Sequence, residues 1–469
     1  MSTPDAPPIG PAVPRTQDRM THDVWLPDEI IGLRTQARAA VERRLAPYAR
    51  EIGQREESSD SFPWTAFRGL ADEGLFAVPF GPEFGRGLRH PMLGTCTVTE
   101  EIAYHSSSMA GVYDGQCILV PQTLTFATDD LRRRLIPELV SGQTAFSFAT
   151  TEPDTSSDLT AQRMQTVAEE TPAGFVVNGR KRWITNSVVA GWVSVLVRAG
   201  AGSDRATMLL IDLSSPGVRI GSPDLKMGHR GQITADIVFT DVLVPHANLL
   251  GHAGNGLSVA LSALVRGRVG IGAAGVGVAQ AALDLAVHRL RTRHVFGGPL
   301  GAMQHWQFTM AQRATEIECA RGLYQKAATL LDRGERNAEP EAAMAKAYGT
   351  RLANDLVREA IQIHGALGFA RQVSESGESV RLEEMYRDGP SNGASRRSAP
   401  RTSPQKPASH PERSTTIFRA RRRPSSASRG SGPKSCAQHF APGPPRSRCT
   451  KLSARPPSPC SPTSRIATG

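Results

Sequence analysis

The sequence predicts a mainly α chain with a central β-domain: an N-terminal helical domain, a small middle β-barrel or sandwich, and a C-terminal helical bundle. Three observations carry this prediction. Apolar residues first repeat with a helical period, then give way to short β-branched runs, then return to long helical runs after Gly256. Beyond Asp388 comes a different texture, rich in Pro, Ser and Arg and nearly free of Leu, Ile and Val. Such a segment cannot bury enough apolar surface to offset the entropy of ordering it, so disorder is expected there.

Residues 1–24 are polar and Pro-rich, without the apolar run of a secretory signal, and a reducing cytoplasmic setting is expected. From Asp28, a helix-starting residue, Ile30, Leu33, Ala37, Val41, Leu45 and Tyr48 fall three or four apart and predict an amphipathic helix. Helical segments broken by Gly/Pro loops continue to about residue 140, which sets the first domain at 25–140. Between 141 and 252 the period changes. Asn178-Gly179, a tight-turn dipeptide, separates FVV from RKRWIT, and GWVSVLVRA, ATMLLIDL and ADIVFTDVLVP follow as further strands. The third domain, 253–388, carries helical runs near 256–293, 303–334 and 340–366, suited to an antiparallel bundle that stops short.

Charge excludes one reading of the body. The formal net charge is +11, but residues 389–469 hold 16 Lys and Arg against the single acid Glu412, leaving 39 basic and 43 acidic residues in 1–388. The body is mildly acidic, so nucleic acid is not an expected partner; only the tail has the composition of a nonspecific basic arm. The six cysteines form no C-x-x-C pair, and neither a disulfide framework nor a metal site is expected. The longest apolar stretch, Val269 to Ala286, is interrupted by Gln280 and Asp284, so no membrane span is expected. Gly270 to Gly275 spells G-x-G-x-x-G inside that helical run. Without a preceding strand, this reads as close helix packing through small residues and not as a dinucleotide loop.

Two segments carry chemistry. FSFATTEPDTSSDL at 146–159 joins an apolar strand to a run of hydroxyls and acids, and KRWITNS at 181–187 sets an aromatic ring beside a hydroxyl. Hydroxyls and backbone N–H groups suit the polar edge of a planar cofactor, and Trp183 suits its face. Taken alone, the first reads as an ordinary Ser/Thr-rich loop and the second as a core Trp. Together with MGHRGQITADIVFTDVLVPHANLLG at 227–251, RTRHVFGGPLGAMQ at 291–304 and AIQIHGALGF at 360–369, they resemble the acyl-CoA dehydrogenase family over about residues 25–388. That family carries T-E-P-x-x-x-S-D, W-I-T-N, D-V-x-V-P-x-x-N-L-L-G, R-x-x-F-G and Q-I-x-G-G-x-G in this order. One departure is Ala366, where the family pattern has its second Gly.

The resemblance implies the family's fold, with a C-terminal four-helix bundle, and FAD as cofactor. It implies an acyl-CoA substrate, an electron-transfer flavoprotein as partner, and assembly as a homotetramer or dimer. Matched position by position, it implies that Phe148, Thr150, Thr151 and Ser157 line the flavin, with Trp183, Ile184 and Thr185 on its other side. Ser157 and Arg268 would meet the substrate. Arg293, Phe296, Gln304, Gln362 and Gly365 would reach the FAD of a neighbouring subunit, where a guanidinium can grip phosphate bidentately. Arg293 with Arg289 and Arg291 reads otherwise as a solvated basic patch.

Desaturation of an acyl thioester needs a base for the α-proton. In most members of the family this is a Glu following an R-D pair; here Arg387-Asp388 is present, but the matching position falls near Arg396, which cannot accept a proton. Some relatives carry the Glu just before an Arg on the first bundle helix, where this chain has Gly267-Arg268. Glu383, Glu384 and Asp388 read as a solvated helix face, so no catalytic base is assigned from sequence. Two other readings therefore stand beside desaturation: a flavin-dependent monooxygenase on the same fold, which needs no such base, and a non-catalytic flavin-binding protein. The tail is expected to be a change of reading frame near residues 389–394. Translating the other two frames across that point is expected to restore a Glu-Gly-Thr-like motif, and its absence from both would dispose of this reading.

Overall fold

The computed structural model describes residues 15–16, 24–155, 157–335, 338–370, 382 and 385. Its first domain holds α1 (Asp28–Arg44), α2 (Ala49–Gln54), α3 (Trp64–Asp72), α4 (Pro91–His105), α5 (Ser107–Asp114), α6 (Val120–Leu124) and α7 (Asp129–Ser141). Helix α1 buries Ile30, Leu33, Ala37, Val41 and Leu45, as their spacing predicts, whereas Tyr48 is exposed. Pro47 accounts for the difference: it fits a short 3-10 turn at Ala46–Tyr48 and ends the α-helical face. Asp28 lies in the first turn and makes no side-chain cap; the carbonyl of Pro27 accepts from Ile30 and Ile31 instead. Helix α4 is the axis of this half of the molecule, with Thr97, Val98 and Thr99 fully buried. Its threonine hydroxyls donate to carbonyls one turn back and so satisfy themselves inside the core.

The middle domain is one seven-stranded sheet: β1 (Ala145–Ala149), β2 (Val167–Thr171), β3 (Gly174–Thr185), β4 (Ala190–Ala199), β5 (Ala206–Asp212), β6 (Val218–Ile220) and β7 (Thr234–Val244). The hydrogen-bonded order is β1-β4-β2-β3-β7-β6, with β5 on the free side of β4. Inward residues such as Ala149, Ala168, Val177, Val195, Ile211 and Phe239 share a single core, so the sheet wraps around its own interior. The tight turn expected at Asn178-Gly179 is not there. Both residues lie inside the continuous strand β3, at a bulge opposite β7. Gly179 holds φ +144, and a Cβ there would press 2.5 Å from Thr166 Cα, so glycine serves a close strand approach. The hairpin turn falls instead at residues 172–173, between paired Thr171 and Gly174.

The third domain comprises α8 (Gly256–Thr292), the two-residue strands β8 (His294–Val295) and β9 (Gly298–Pro299), α9 (Gln304–Asp332), α10 (Glu339–His364) and the short α11 (Ala366–Phe369). Gly272 of α8 meets the Ala345 backbone and Gly275 meets Gly349, so α8 and α10 run parallel at near backbone contact. This is what the G-x-G-x-x-G run does. Arg313 pairs with Glu359 at 2.5 Å and Lys326 with Glu341 at 3.2 Å, so α9 runs antiparallel to α10. The apolar stretch of α8 is long enough to cross a membrane, yet 89% of it is buried within the fold. The fourth helix that the resemblance implies would fall on residues of which only Leu382 and Met385 are described, both helical and buried. The tail, Glu383, Glu384, Arg387, Asp388 and Arg396 lie outside the described residues.

Candidate active site

The two chemistry-bearing segments are brought side by side by four hydrogen bonds. Arg182 N donates to Thr151 O at 2.9 Å, and Ser147 Oγ donates to Thr185 O at 2.8 Å. Lys181 Nζ donates to Thr150 O at 3.3 Å and to Glu152 Oε1 at 2.7 Å. The Glu152 carboxylate also accepts from the N–H groups of Gln165 (2.7 Å) and Thr166 (3.1 Å), folding the intervening loop back on the strand. Lys181 is fully buried, and that burial, against the opposing pull of Glu152, depresses its pKa to about 8. Neither member of this clamp was singled out by sequence; the signal available was a Lys two residues before Trp183 and the Glu of T-E-P.

Between Lys181 and Ile184 the ladder to β7 breaks at a second bulge. Trp183 sits there at φ +60 with half its surface exposed and Arg182 stacked 4.5 Å from its ring centre. Asn186 follows at φ +63, and both atoms of its buried side-chain amide lack a partner among the described residues. Non-glycine residues hold such backbone only where the surroundings impose it, and it clusters at sites shaped for a ligand. Thr185 Oγ1 accepts from Gln232 Nε2 at 3.0 Å, which ties β3 to the loop before β7. An exposed indole face flanked by Thr and Ser hydroxyls, on strained backbone, fits the planar ring and polar edge of a flavin.

The structure sorts the other expected residues. Thr150 and Thr151 are half-buried at the end of β1, and Ser157 is exposed in the loop that follows. Phe148 packs against the cluster beneath α7, and Ile184 is 2% exposed in the β core, leaving only its backbone to meet a ligand. Arg268 is half-buried on α8 and has no ion pair among the described residues. Arg293, Phe296 and Gln304 follow the C-terminal end of α8, and Gln362 and Gly365 close α10. Because α8 and α10 are parallel, these five residues share one end of the bundle. Phe296 there is 96% exposed at φ +51. A separate cavity of about 570 Å³, lined by Thr95, Cys117, Pro121, Arg266 and Asp332, contains none of the motif residues.

A wrapped β-domain presenting an aromatic face beside hydroxyls, set between a helical domain and a helical bundle, suits a flavoprotein. The N-terminal, middle and C-terminal domain profiles of acyl-CoA dehydrogenase match residues 27–143, 147–242 and 254–393. The chain belongs to the acyl-CoA dehydrogenase family, whose cofactor is FAD. A probable acyl-CoA dehydrogenase of Bacillus subtilis is 35% identical over 76% of this chain and 91% of its own length. The short-chain specific acyl-CoA dehydrogenase of Rattus norvegicus mitochondria is 31% identical over 81% and 90%. Among solved structures, a glutaryl-coenzyme A dehydrogenase complexed with glutaryl-CoA is 30% identical, with a TM-score of 0.71 over 78% of this chain and 90% of that one.

Proposed function

We propose that this chain itself desaturates an acyl-CoA thioester at the α,β position and passes the electrons to an electron-transfer flavoprotein. The observation that carries this reading is the clamp: Lys181 and Glu152 hold the T-E-P and W-I-T segments together, so that Trp183 and the hydroxyls of Thr150, Thr151 and Thr185 address one flavin ring. FAD supplies the hydride acceptor. The protein's part is to hold that ring flat against Trp183, bond its edge, and keep the thioester dry enough for its α-proton to leave. Arg268, half-buried and without an ion pair among the described residues, is a cation available to a substrate anion.

We further infer that the site is completed by a second copy of the chain. Some 25 residues of α8 separate Gly267, at the level of the flavin segments, from Thr292 at the end bearing Arg293, a rise of about 37 Å. That exceeds the reach of one extended FAD, so both groups serve the same cofactor only across a subunit boundary. Exposed Phe296, Phe308 and Phe369 cluster toward that end and suit an apolar contact.

One assay tests both readings. Purified FAD-loaded chain is given butyryl-, isovaleryl-, octanoyl- and palmitoyl-CoA with an artificial electron acceptor, and its mass is measured by light scattering. Enoyl-CoA formation by a dimer or tetramer is expected. Oxygen-dependent hydroxylation with a flavin reductase, and no enoyl product, would favour the monooxygenase reading; a monomer with full FAD content would contradict the shared site.

A further inference from the structure

Helix α5 carries one carboxylate into its interface with α8. Asp114 is 5% exposed, and its Oδ1 has no hydrogen-bond partner among the described residues. A Cβ at Gly267 would lie 3.4 Å from Asp114 Oδ2, and a Cβ at Gly270 would collide with Oδ1. The Asp114 side chain, together with Ile118 and Leu119, thus packs into the groove that Gly267 and Gly270 leave on α8, the helix that carries Arg268. One turn earlier on α5, a Cβ at Gly111 would meet Gln232 Oε1 at 2.8 Å, and Gln232 Nε2 donates to Thr185 Oγ1 at 3.0 Å. Gly111, which faces Gln232, and Asp114 thus lie three residues apart on α5, about 4.5 Å of rise. Of the carboxylates in the motif, Glu152 is committed to Lys181, Asp158 accepts from Thr160, and Asp154 is exposed.

We propose that Asp114 is the base that takes the α-proton in this chain, delivered from α5 to the face of α8 that carries Gly267 and Gly270. The inference rests on the desaturation reading above and adds to it the missing proton acceptor. In the step, the α C–H bond breaks and its proton goes to Asp114 Oδ, while its electron pair becomes the Cα=Cβ bond. The β C–H bond breaks at the same time, and its electron pair leaves as hydride to FAD, the oxidant. Asp114 ends neutral, the form that a dry site favours.

The surroundings agree. Burial holds the Asp114 carboxyl well above the usual carboxylate range, against an opposing pull from Lys346 on α10. Cys96 on α4 and Cys117 one turn beyond Asp114 also face it, and burial keeps both thiols uncharged. A group whose folded pKa is raised costs stability increasingly as pH climbs from its unfolded toward its folded value. Asn at this position does not titrate and is free of that cost.

The test compares Asp114→Asn with the wild-type chain. FAD content and acyl-CoA binding are expected to persist. Flavin bleaching by the acyl-CoA of the panel that works best is expected to slow by about 10²–10⁴-fold. Deuterium uptake at the α-carbon of its 3-thia analogue in D2O, followed by NMR, is expected to slow equally, since that analogue can lose the α-proton but not a β-hydride. On the FAD-free chain, the Tm advantage of D114N over wild type is expected to grow as pH rises from 4 toward 8. Wild-type rates in D114N would overturn the proposal, as would a variant that loses FAD and melts lower at every pH, which marks a structural role. A wild-type chain that holds FAD and acyl-CoA but neither bleaches nor exchanges would overturn this inference and leave the flavoprotein standing. Failure to hold FAD at all would overturn the functional reading beneath it.

Discussion

Replacing Glu152 with Gln is expected to destabilise the chain by about 3–5 kcal/mol and to strip most of its FAD, because a buried ammonium is left without its countercharge. Lys181 Nζ has two partners, Glu152 Oε1 and Thr150 O, and only the first is charged. The sign of the pH dependence follows from the depressed Lys181 pKa. The unfolded Lys titrates near 10.4, the folded one near 8, so the unfolded state binds more protons between these values and stability rises with pH across that window. Removing the Glu152 charge depresses Lys181 further and extends the window downward. The deficit of E152Q in urea unfolding is therefore expected to be larger at pH 6 than at pH 9. A variant with wild-type stability and full flavin would show that the four hydrogen bonds between the segments suffice without the charge.

Arg321→Met is expected to be of similar size and to act elsewhere. Arg321 of α9 is 1% exposed and holds Glu100 of α4 at 2.9 Å, while its remaining N–H groups reach Glu318 and Gln280 of α8 at 3.3 Å. Glu100 also accepts from the Tyr324 hydroxyl. Burial pushes the Glu100 carboxyl upward, and the Arg321 and Arg34 guanidiniums more than reverse it, so it stays ionised below its ordinary range. Taking away Arg321 strands that charge where α4, α8 and α9 meet, at about 3–5 kcal/mol. Removing both charges, as in E100M/R321M, is expected to recover part of the loss, since the stranded carboxylate is gone while the buried Arg34 guanidinium loses its countercharge. Urea midpoints of the single and double variants check this; a double variant no better than R321M would show that packing, not charge, is what Arg321 supplies.

Much of the architecture was legible because local chemistry and the fold agree. The spacing of Ile30, Leu33, Ala37 and Val41 is a local property that packing merely uses, and the small residues from Gly270 to Gly275 permit only the close helix contact they make with Ala345 and Gly349. Asn178-Gly179 misled for an instructive reason. Its glycine supplies positive φ in either setting, and only the partner strand β7 decides that the freedom serves a bulge and not a turn. The clamp between Lys181 and Glu152 was invisible, since the two lie 29 residues apart and nothing in either segment announces a buried ion pair. Asp114 was harder still. Its significance comes from two glycines on another helix, and a missing side chain leaves no signature until the neighbour that fills its place is seen. Residues 293 to 304 and 362 to 365 could be grouped from sequence only through the family resemblance; that they share one end of the bundle follows from the parallel course of α8 and α10.

The most direct test of the central claim is a single turnover without oxygen. FAD-loaded chain is mixed with excess acyl-CoA, and the visible absorbance of the flavin is followed. Stoichiometric bleaching is expected, with formation of one enoyl-CoA per flavin and recovery of the colour on adding an electron-transfer flavoprotein or artificial acceptor. A chain that holds FAD and acyl-CoA together, yet leaves the flavin oxidised with every acyl group tried, would contradict it.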